Sequence, residues 1–516
     1  MSLNAANNKR IARNTLLLYI RMGLVMLISL YVARVVLSVL GEDDYGIYNV
    51  VGGVVVMFSF LSSTLASASQ RFFAFELGRG NYENLNRIFN INLILFCIVT
   101  LIIILLAETV GLWFMNTRMT IPAERMGAAN WIYQFSILSF CTNIIAIPYQ
   151  ATIIARERMN FYALVGIMEA LLKLAFVLLL MHMDWGADVL IVYGALMLVV
   201  SIITNGAYVT VARRHFEETK IRLYWERKQV KEIVSYSGWN LFGALASVIR
   251  SHGINILINV FFNPAVNAAR ALSYQVNNAL NQFASNFYTA VRPQVTKYYA
   301  QGDREATFNL VFSSSKFAYY LLLFLAVPVL VFTGQIIDLW LVDVPDYTVL
   351  FVKLVVIIGL IDSISNPLMT LAQATGRVRG YQIVCGSILL MNLPVSWLFL
   401  HWGYPPEATM YVAISISSIA LFARLIILRR IAGFPVLKFC SSVLLRLIFI
   451  TALSIALSWG IKLLFYRVGS GIVHLCILIC FSIIATILII IALGFSTGER
   501  KALISLLSPS YRKKKD

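Results

Sequence analysis

Apolar runs of roughly twenty residues recur along the whole chain, and this recurrence constrains the fold more than any other feature. A helical run of that length matches the hydrocarbon thickness of a bilayer. The composition agrees, because 59% of the 516 residues are hydrophobic and only 13% are charged, whereas soluble domains carry about a quarter charged residues. The sequence therefore predicts an all-α polytopic membrane protein.

Fourteen of these runs are long enough to be transmembrane helices. The first ten residues are polar and no small-residue cleavage site follows the first run, so we expect that span to be retained and not cleaved as a signal peptide. The predicted spans lie at residues 14–40, 46–69, 89–113, 131–154, 161–181, 188–211, 236–262, 268–290, 313–333, 347–373, 381–401, 408–428, 440–465 and 471–494.

The net charge of +18 is spread unevenly over the connections between the spans. Alternate connections are basic, and the longest of them, residues 212–232, is strongly so. Basic loops stay in the cytoplasm, so both chain termini are predicted to be cytoplasmic. Because the positive charge is explained by membrane topology, we expect no nucleic-acid partner.

The chain resembles itself at an offset of 222 residues, at which Gly80 aligns with Gly302. At an offset of 219 residues, Pro148 aligns with Pro367. Each copy holds six spans, and an even number gives both copies the same orientation in the membrane. We therefore expect a six-helix bundle at residues 1–211, a cytoplasmic linker at 212–232, a second six-helix bundle at 233–430, and two extra transmembrane helices with a basic cytoplasmic tail at 431–516.

The seventh and eighth predicted spans carry a dense stripe of polar side chains. Hydrogen bonds between helices explain isolated polar residues in membranes. A whole stripe on two consecutive spans fits a water-filled cavity better. The predicted polar lining is Asn240, Ser247, Ser251, Asn255, Tyr274, Asn277, Asn281 and Ser285, with Ser63 on the second span, the repeat counterpart of the eighth.

Arginines within the spans set the expected charge of that cavity. Arg250 lies near the middle of its span on the polar stripe, where a guanidinium costs at least about 2.5–3.5 kcal/mol on insertion scales. Arg21 and Arg270 lie nearer to span ends, where the alternative is a side chain that reaches the interface. Guanidinium groups bind phosphate and diphosphate through forked, charge-assisted hydrogen bonds. We therefore expect a basic cavity that fits a lipid-linked, diphosphate-bearing oligosaccharide, with Arg250 and Arg270 as candidates for contact with it.

Three further residues are weaker candidates for the cavity. Arg34 lies near the other end of the first span, Lys173 is spaced to pair with Glu169, and His252 borders the polar stripe. The six cysteines form no CxxC or Cys/His cluster, so we expect no metal site and interpret them as small buried hydrophobic residues. The acidic residues 42–44 are interpreted as a solvated turn.

Three stretches resemble a known family: "NTLLLYIRMGLVMLISLYVARVVLSVLGEDDYGIYNVV", "SQRFFAFELGRGNYENLNRIF" and "INVFFNPAVNAARALSYQV". They are similar to the multidrug/oligosaccharidyl-lipid/polysaccharide flippase superfamily. Within it they resemble the polysaccharide-biosynthesis branch, the O-antigen and capsule repeat-unit flippases. The resemblance covers the first twelve spans well and the last two weakly.

This resemblance implies a MATE-like, V-shaped pair of six-helix bundles in the bacterial cytoplasmic membrane. Such a protein is expected to move an undecaprenyl diphosphate-linked oligosaccharide from the inner to the outer leaflet by alternating access. The resemblance also implies that cavity arginines hold the diphosphate, a role that falls to Arg21, Arg250 and Arg270 in this sequence. It is expected to be a transporter and not an enzyme, with no cofactor. Coupling to protons, sodium or the membrane potential stays open. Partners implied are the lipid-linked oligosaccharide, membrane lipids and a polysaccharide polymerase or assembly complex.

Other functions remain open on the sequence alone. A peptidoglycan-precursor (lipid II) flippase shares fourteen spans and cavity arginines. A MATE-type drug exporter would need buried acids, which are scarce here. A membrane glycan polymerase or glycosyltransferase would need a large outer loop with catalytic carboxylates or histidines, and the predicted outer loops are short.

Overall fold

The computed structural model describes residues 2–56, 59–118, 122–182, 188–262, 264–341, 344–465 and 471–495. Every regular element in these ranges is helical. The α-helices are α1 Ser2–Val56, α2 Ser59–Arg79, α3 Tyr82–Leu106, α4 Leu112–Arg118, α5 Met126–Ala155, α6 Met159–His182, α7 Val189–His215, α8 Arg227–Phe261, α9 Pro264–Ala300, α10 Arg304–Val331, α11 Thr333–Trp340, α12 Thr348–Thr375, α13 Val378–Leu390, α14 Asn392–His401, α15 Ala408–Ala432, α16 Val436–Phe439, α17 Leu445–Phe465 and α18 Ile472–Ile489.

Within the described ranges, ten helical segments are long and apolar enough to cross a membrane, which confirms an all-α polytopic membrane protein. Helices also cover the other predicted spans, in α1, α2, α8 and α9. Within α1 the helix is interrupted at Gly41, whose φ of 76° and ψ of 173° are not helical, so the predicted break after residue 40 is confirmed. The count of fourteen transmembrane spans stays a prediction.

The chain divides into two compact units. The N-terminal unit is Arg13–Leu241, and the C-terminal unit is Met1–Ala12 together with Phe242–Asp516. The whole of the predicted linker, 212–232, thus belongs to the N-terminal unit, and α17 and α18 belong to the C-terminal unit. The domain boundaries expected from the sequence stay a prediction.

In the N-terminal unit α5 packs against α2 and α7. Its core includes Ile132 and Tyr133 of α5, which are nearly fully buried. The Tyr133 hydroxyl donates a hydrogen bond of 2.8 Å to the carbonyl of Ala107, so this buried polar group is satisfied. At one end of the unit Arg125 forms ion pairs with Asp44 and Asp188.

In the C-terminal unit α12 is the central helix and packs against α9, α10 and α15. The core of this unit is built from aliphatic and aromatic side chains such as Leu323, Phe332 and Val352, all of which are fully buried. Helices α17 and α18 pack against α10. Their Ser458 and Ser482 hydroxyls lie 2.8 Å apart and link the two helices to each other.

The same turn occurs once in each unit, where the predicted repeat places it. Gly80 and Gly302 both have left-handed φ values, 71° and 79°, which favour glycine. The next residues, Asn81 and Asp303, each cap the following helix by accepting a backbone N–H bond three residues on. This shared turn supports the internal repeat at the level of local structure.

Two expectations about polar residues need correction. Asp44 is not a solvated turn residue, because its carboxylate is mostly buried in the ion pair with Arg125. Cys97, Cys476 and Cys480 are exposed on the protein surface and are not buried. They lie on apolar helix faces that also carry exposed large hydrophobic side chains.

Candidate anion-binding site

Four charged side chains from four helices of the C-terminal unit are linked in sequence by charge interactions: Arg270 with Arg250, Arg250 with Asp362, and Asp362 with Arg424. Arg250 of α8, Arg270 of α9, Arg424 of α15 and Asp362 of α12 form this group, which we call the arginine cluster. Apolar residues of the same four helices, among them Ile254, pack together beside it. The surroundings therefore have a low effective dielectric constant, which strengthens every charge interaction in the cluster.

Arg250 is the most accessible and most loosely held arginine of the cluster. Its side chain is 19% exposed, and one terminal nitrogen lies 3.8 Å from the carboxylate of Asp362. The other terminal nitrogen lies 3.4 Å from the hydroxyl of Ser417 on α15. Both distances are long for charge-assisted bonds. The guanidinium therefore keeps unused hydrogen-bonding capacity.

Arg270 is deeply buried, with only 4% of the residue exposed. Its Nη1 donates a hydrogen bond to the Asn255 side-chain oxygen, and its guanidinium carbon lies 4.5 Å from the ring centroid of Tyr274. Its Nε is buried and has no hydrogen-bond partner among the described residues. Neutral groups orient this guanidinium, and no carboxylate contact to it is recorded in the described part of the chain.

Arg424 is also buried, with 8% of the residue exposed. Its Nε donates to the Tyr381 hydroxyl at 3.1 Å and its Nη1 donates to the Ser365 hydroxyl at 3.0 Å. These two bonds fix the plane of the guanidinium. Its charge also interacts with Asp362, which places that carboxylate under the influence of both Arg250 and Arg424.

The charges of the arginine cluster do not balance. Three guanidinium groups are present, and among the described residues the carboxylate of Asp362, whose side chain is 37% exposed, interacts with two of them, Arg250 and Arg424. Buried arginines normally need an anionic partner, because desolvating an uncompensated charge is costly. The cluster therefore has the charge and the donors to accept an anion.

The amide residues predicted on the eighth span lie beside this cluster on α9. Asn277 is buried and its side-chain oxygen faces Gly359 of α12, where an added Cβ would collide with it. The Nδ2 of Asn281 donates to the carbonyl of Asn277 within α9 at 3.0 Å. Ser285 is exposed and donates to the Gln282 carbonyl at 2.9 Å. These residues continue the polar side of α9 beyond Arg270.

Arg21 lies in the N-terminal unit, in different surroundings. Its guanidinium carbon is 4.7 Å from the ring centroid of Tyr162 on α6. Gly166, one turn further along α6, leaves the space that the guanidinium occupies, because a Cβ there would collide with its nitrogens. Arg21 Nε is buried without a hydrogen-bond partner among the described residues. The ring of Tyr162 stabilises this cation through a cation–π contact.

The remaining predicted residues that the structure describes belong to the N-terminal unit. Asn240 belongs to the N-terminal unit and donates at 2.9 Å to the Tyr236 carbonyl of its own helix. Ser63, also in that unit, is exposed. Lys173 forms the expected ion pair with Glu169 at 2.7 Å. The side chains of Arg34, Ser247, Ser251 and His252 lie outside the described residues.

Sequence reasoning missed Arg424. It lies four residues before the end of the predicted twelfth span, where an arginine is expected to reach the interface. In the structure it is instead buried, and hydroxyls on α12 and α13 hold it. Nothing in the sequence indicates that Tyr381 and Ser365 are partners of Arg424. Their hydrogen bonds to its guanidinium are visible only in the structure.

Solved structures identify the architecture. The chain has the fold of the MATE transporters. An outward-facing multidrug resistance MATE family transporter of the MOP superfamily matches with a TM-score of 0.71 and 15% identity, over 83% of this chain and 97% of that one. A MATE structure in complex with MaD3S matches with a TM-score of 0.69 over the same shares, at 15% identity. A variant of the Vibrio cholerae MATE transporter VcmN matches with a TM-score of 0.68 and 16% identity, over 83% and 99%.

No family model matches the sequence of this chain. No curated protein matches it either. The MATE fold is therefore established by three-dimensional similarity alone, and the arginine cluster must be interpreted from its own chemistry.

Proposed function

We propose that this protein is a flippase that moves an undecaprenyl diphosphate-linked oligosaccharide from the inner to the outer leaflet of the bacterial cytoplasmic membrane. The observation that carries the proposal is the charge imbalance of the arginine cluster within a MATE fold. Three arginines against one carboxylate favour an anionic cargo. A diphosphate offers oxygens on both phosphates to several guanidinium groups at once.

The three arginines suit different tasks in such a site. Arg270 and Arg424 are fixed by neutral partners and would supply a preorganised positive field. Arg250 is more exposed and loosely bonded, so it would turn toward the phosphate oxygens with little loss of existing contacts. Asp362 would act as an internal counter-ion that the incoming diphosphate replaces.

The polar side of α9 would meet the sugar part of the cargo. Asn277 and Asn281 follow Arg270 along the helix at intervals of seven and four residues, so they lie on its same side. Amide groups donate to and accept from sugar hydroxyls. The polyprenyl tail would stay in the bilayer, which removes the cost of moving it through water.

The membrane potential favours this direction of transport. Each negative charge that moves outward across an inside-negative membrane gains about 2.3 kcal/mol per 100 mV. Transport breaks no covalent bond, so the protein needs no catalytic residue. Coupling to protons or sodium is an additional possibility, and a polysaccharide polymerase or assembly complex is the partner that would receive the product.

The direct test is flipping of a fluorescent polyprenyl diphosphate sugar in proteoliposomes. Arg250→Ala is expected to lower the initial flipping rate at least tenfold, and the matched control Arg429→Ala, at the exposed end of α15, should transport like the wild type. Undiminished flipping by Arg250→Ala would remove the arginine cluster as the cargo site.

Export of cationic drugs is the second candidate function. The observation that favours it is the fold, which is shared with a multidrug resistance MATE transporter. Asp362 would then be the cation-binding group. Efflux of ethidium from cells that express the chain, abolished in Asp362→Asn and indifferent to Arg250→Ala, would support this function against the flippase.

A further inference from the structure

The connection between α7 and α8 presents an apolar face that neither unit core uses. Residues 220–226, which we call the linker segment, contain no helix. Ile221, Leu223 and Trp225 are 53%, 94% and 53% exposed, whereas Tyr224 and Glu226 between and after them are half-buried. From Leu223 to Glu226 the exposure alternates, which is typical of extended backbone, in which successive side chains point to opposite sides.

Asparagines of α3 hold the linker segment in place. The Nδ2 of Asn86 donates to the carbonyls of Glu218 and Lys220 at 2.7 and 2.9 Å. The side chain of Asn90 donates to the Lys220 carbonyl at 3.2 Å and accepts from the backbone N–H of Arg222 at 2.7 Å. The side-chain hydrogen bonds of Asn86 and Asn90 therefore fix the path of this backbone.

Three further contacts hold the connection between α7 and α8, one before the linker segment and two at its Tyr224 side chain. Arg156 forms a forked ion pair with Glu218, with distances of 2.7 and 2.9 Å. The Tyr224 hydroxyl donates to Glu226 at 2.8 Å, and the Arg87 guanidinium carbon lies 5.2 Å from the Tyr224 ring centroid. Tyr224 thus occupies the inner side, which leaves Ile221, Leu223 and Trp225 on the outer side.

Cations surround this outer apolar face. Several basic residues in and after the linker segment are exposed; they are Lys220, Arg222, Arg227, Lys228 and Lys231. Two of the nearby acids are already engaged, since Glu218 pairs with Arg156 and Glu226 accepts from Tyr224. Glu217 lies beside Lys220 and Glu232 is exposed. The surface is therefore net positive around an apolar centre.

We propose that the linker segment is a binding site for anionic phospholipid, with Leu223 and Trp225 inserted at the boundary between headgroups and acyl chains. Helix α7 is long and apolar enough to cross the membrane and ends at His215, five residues before the segment, so the segment lies close to the bilayer surface. Tryptophan is enriched at that depth. Lysine and arginine beside an apolar anchor bind acidic headgroups.

The asparagine contacts would lower the entropy cost of lipid binding. A flexible loop would lose conformational entropy each time it settled on the membrane. The bonds from Asn86 and Asn90 hold the segment in one conformation before lipid binds. The lipid site is independent of the arginine cluster and of the cargo that the protein moves.

Tryptophan quenching tests the position of the segment. The full chain would be placed in nanodiscs that contain phosphatidylcholine and phosphatidylglycerol. Because the chain has nine tryptophans, the emission of Trp225 is obtained as the difference between the wild type and Trp225→Phe. We expect phospholipids brominated near the headgroup end of the acyl chain to quench at least half of this difference signal, and aqueous iodide to quench little of it.

Two outcomes would overturn this position. Quenching by iodide without quenching by brominated lipid would place Trp225 in water. Quenching by neither reagent would mean that a protein surface, from a second copy or another chain, covers the segment.

A charge-matched pair of variants tests the lipid preference. Arg222→Gln with Arg227→Gln removes two charges at the segment, and Arg429→Gln with Arg430→Gln removes two charges at the end of α15. In native mass spectra of the full chain from phosphatidylglycerol nanodiscs, the first pair should retain at most half as many phosphatidylglycerol molecules as the wild type. Equal retention in the two variants would show that the segment has no special affinity for anionic lipid.

Discussion

The two units differ in how they hold several of their cations. In the N-terminal unit, carboxylates neutralise three of the described cations: Arg125 pairs with two aspartates, Arg156 pairs with Glu218, and Lys173 pairs with Glu169. In the C-terminal unit, hydroxyls, an amide and an aromatic ring orient the arginines of the cluster, and among the described residues Asp362 is the carboxylate that interacts with Arg250 and Arg424. Paired charges build structure, whereas oriented but uncompensated charges are available to a ligand.

The comparison of the two units also distinguishes the surroundings of the three arginines that the sequence offers as candidates for binding the cargo. Arg21 lies over the ring of Tyr162 in the N-terminal unit, whereas Arg250 and Arg270 belong to one group in the C-terminal unit. An anion with several negative charges gains most where several guanidinium groups converge. The C-terminal unit is therefore the better place to break anion binding by mutation.

The largest effect is expected from adding a carboxylate partner to a buried arginine of the C-terminal unit, like the carboxylates that pair with Arg125 and Arg156 in the N-terminal unit. Asn255→Asp would place a carboxylate on Arg270. A hydrogen bond to a charged group contributes about 1.5–3 kcal/mol, which a diphosphate would have to overcome. Titration of the purified protein with a fluorescent polyprenyl diphosphate sugar should give a Kd at least about tenfold higher.

Asn255→Leu is the control for that variant. It removes the oxygen that accepts from Arg270 without adding a charge, so binding should be equal to the wild type or tighter. Equal binding by the Asp and Leu variants would mean that Arg270 does not meet the ligand.

The second-largest effect is expected to be tighter, not weaker, binding of the diphosphate. Asp362→Asn removes the internal counter-ion and leaves Arg250 and Arg424 uncompensated. The same titration should give a Kd lower by about threefold to tenfold, or up to about 1.4 kcal/mol. Asp338→Asn on α11, which is exposed, controls for the loss of a negative charge. Weaker diphosphate binding by Asp362→Asn would instead make the carboxylate a ligand-binding group.

A smaller effect is expected from changing the shape of one cation. Arg424→Lys keeps the charge but cannot donate to Tyr381 and Ser365 in one plane. A lost hydrogen bond of about 0.5–1.5 kcal/mol should raise the Kd by about twofold to tenfold. Tyr381→Phe, which retains the arginine, should change the Kd less than the lysine variant does. The reverse order would mean that Tyr381, and not Arg424, contacts the ligand.

The sequence predicted much of this fold and only part of the site. Periodic apolar runs revealed the membrane helices, because a bilayer leaves few alternatives to a helix. The spacing of Glu169 and Lys173 revealed their ion pair, because that contact is local. Asp44 and Arg424 were misjudged or missed, because their partners are far away in the sequence: Arg125 for Asp44, and Tyr381 for Arg424.

The smallest effect should come from the N-terminal unit. Lys173→Gln breaks the pair with Glu169, whose two side chains are 43% and 35% exposed. Exposed pairs one helical turn apart contribute about 0.3–0.5 kcal/mol, and solvent screening lowers this further. The diphosphate Kd should therefore change by less than about twofold. Lys173 was a weak candidate for the cavity, and a carboxylate now accounts for its charge. A tenfold loss of binding in Lys173→Gln, with unfolding temperature unchanged, would contradict the division of roles between the units, because a paired cation would then be serving the ligand.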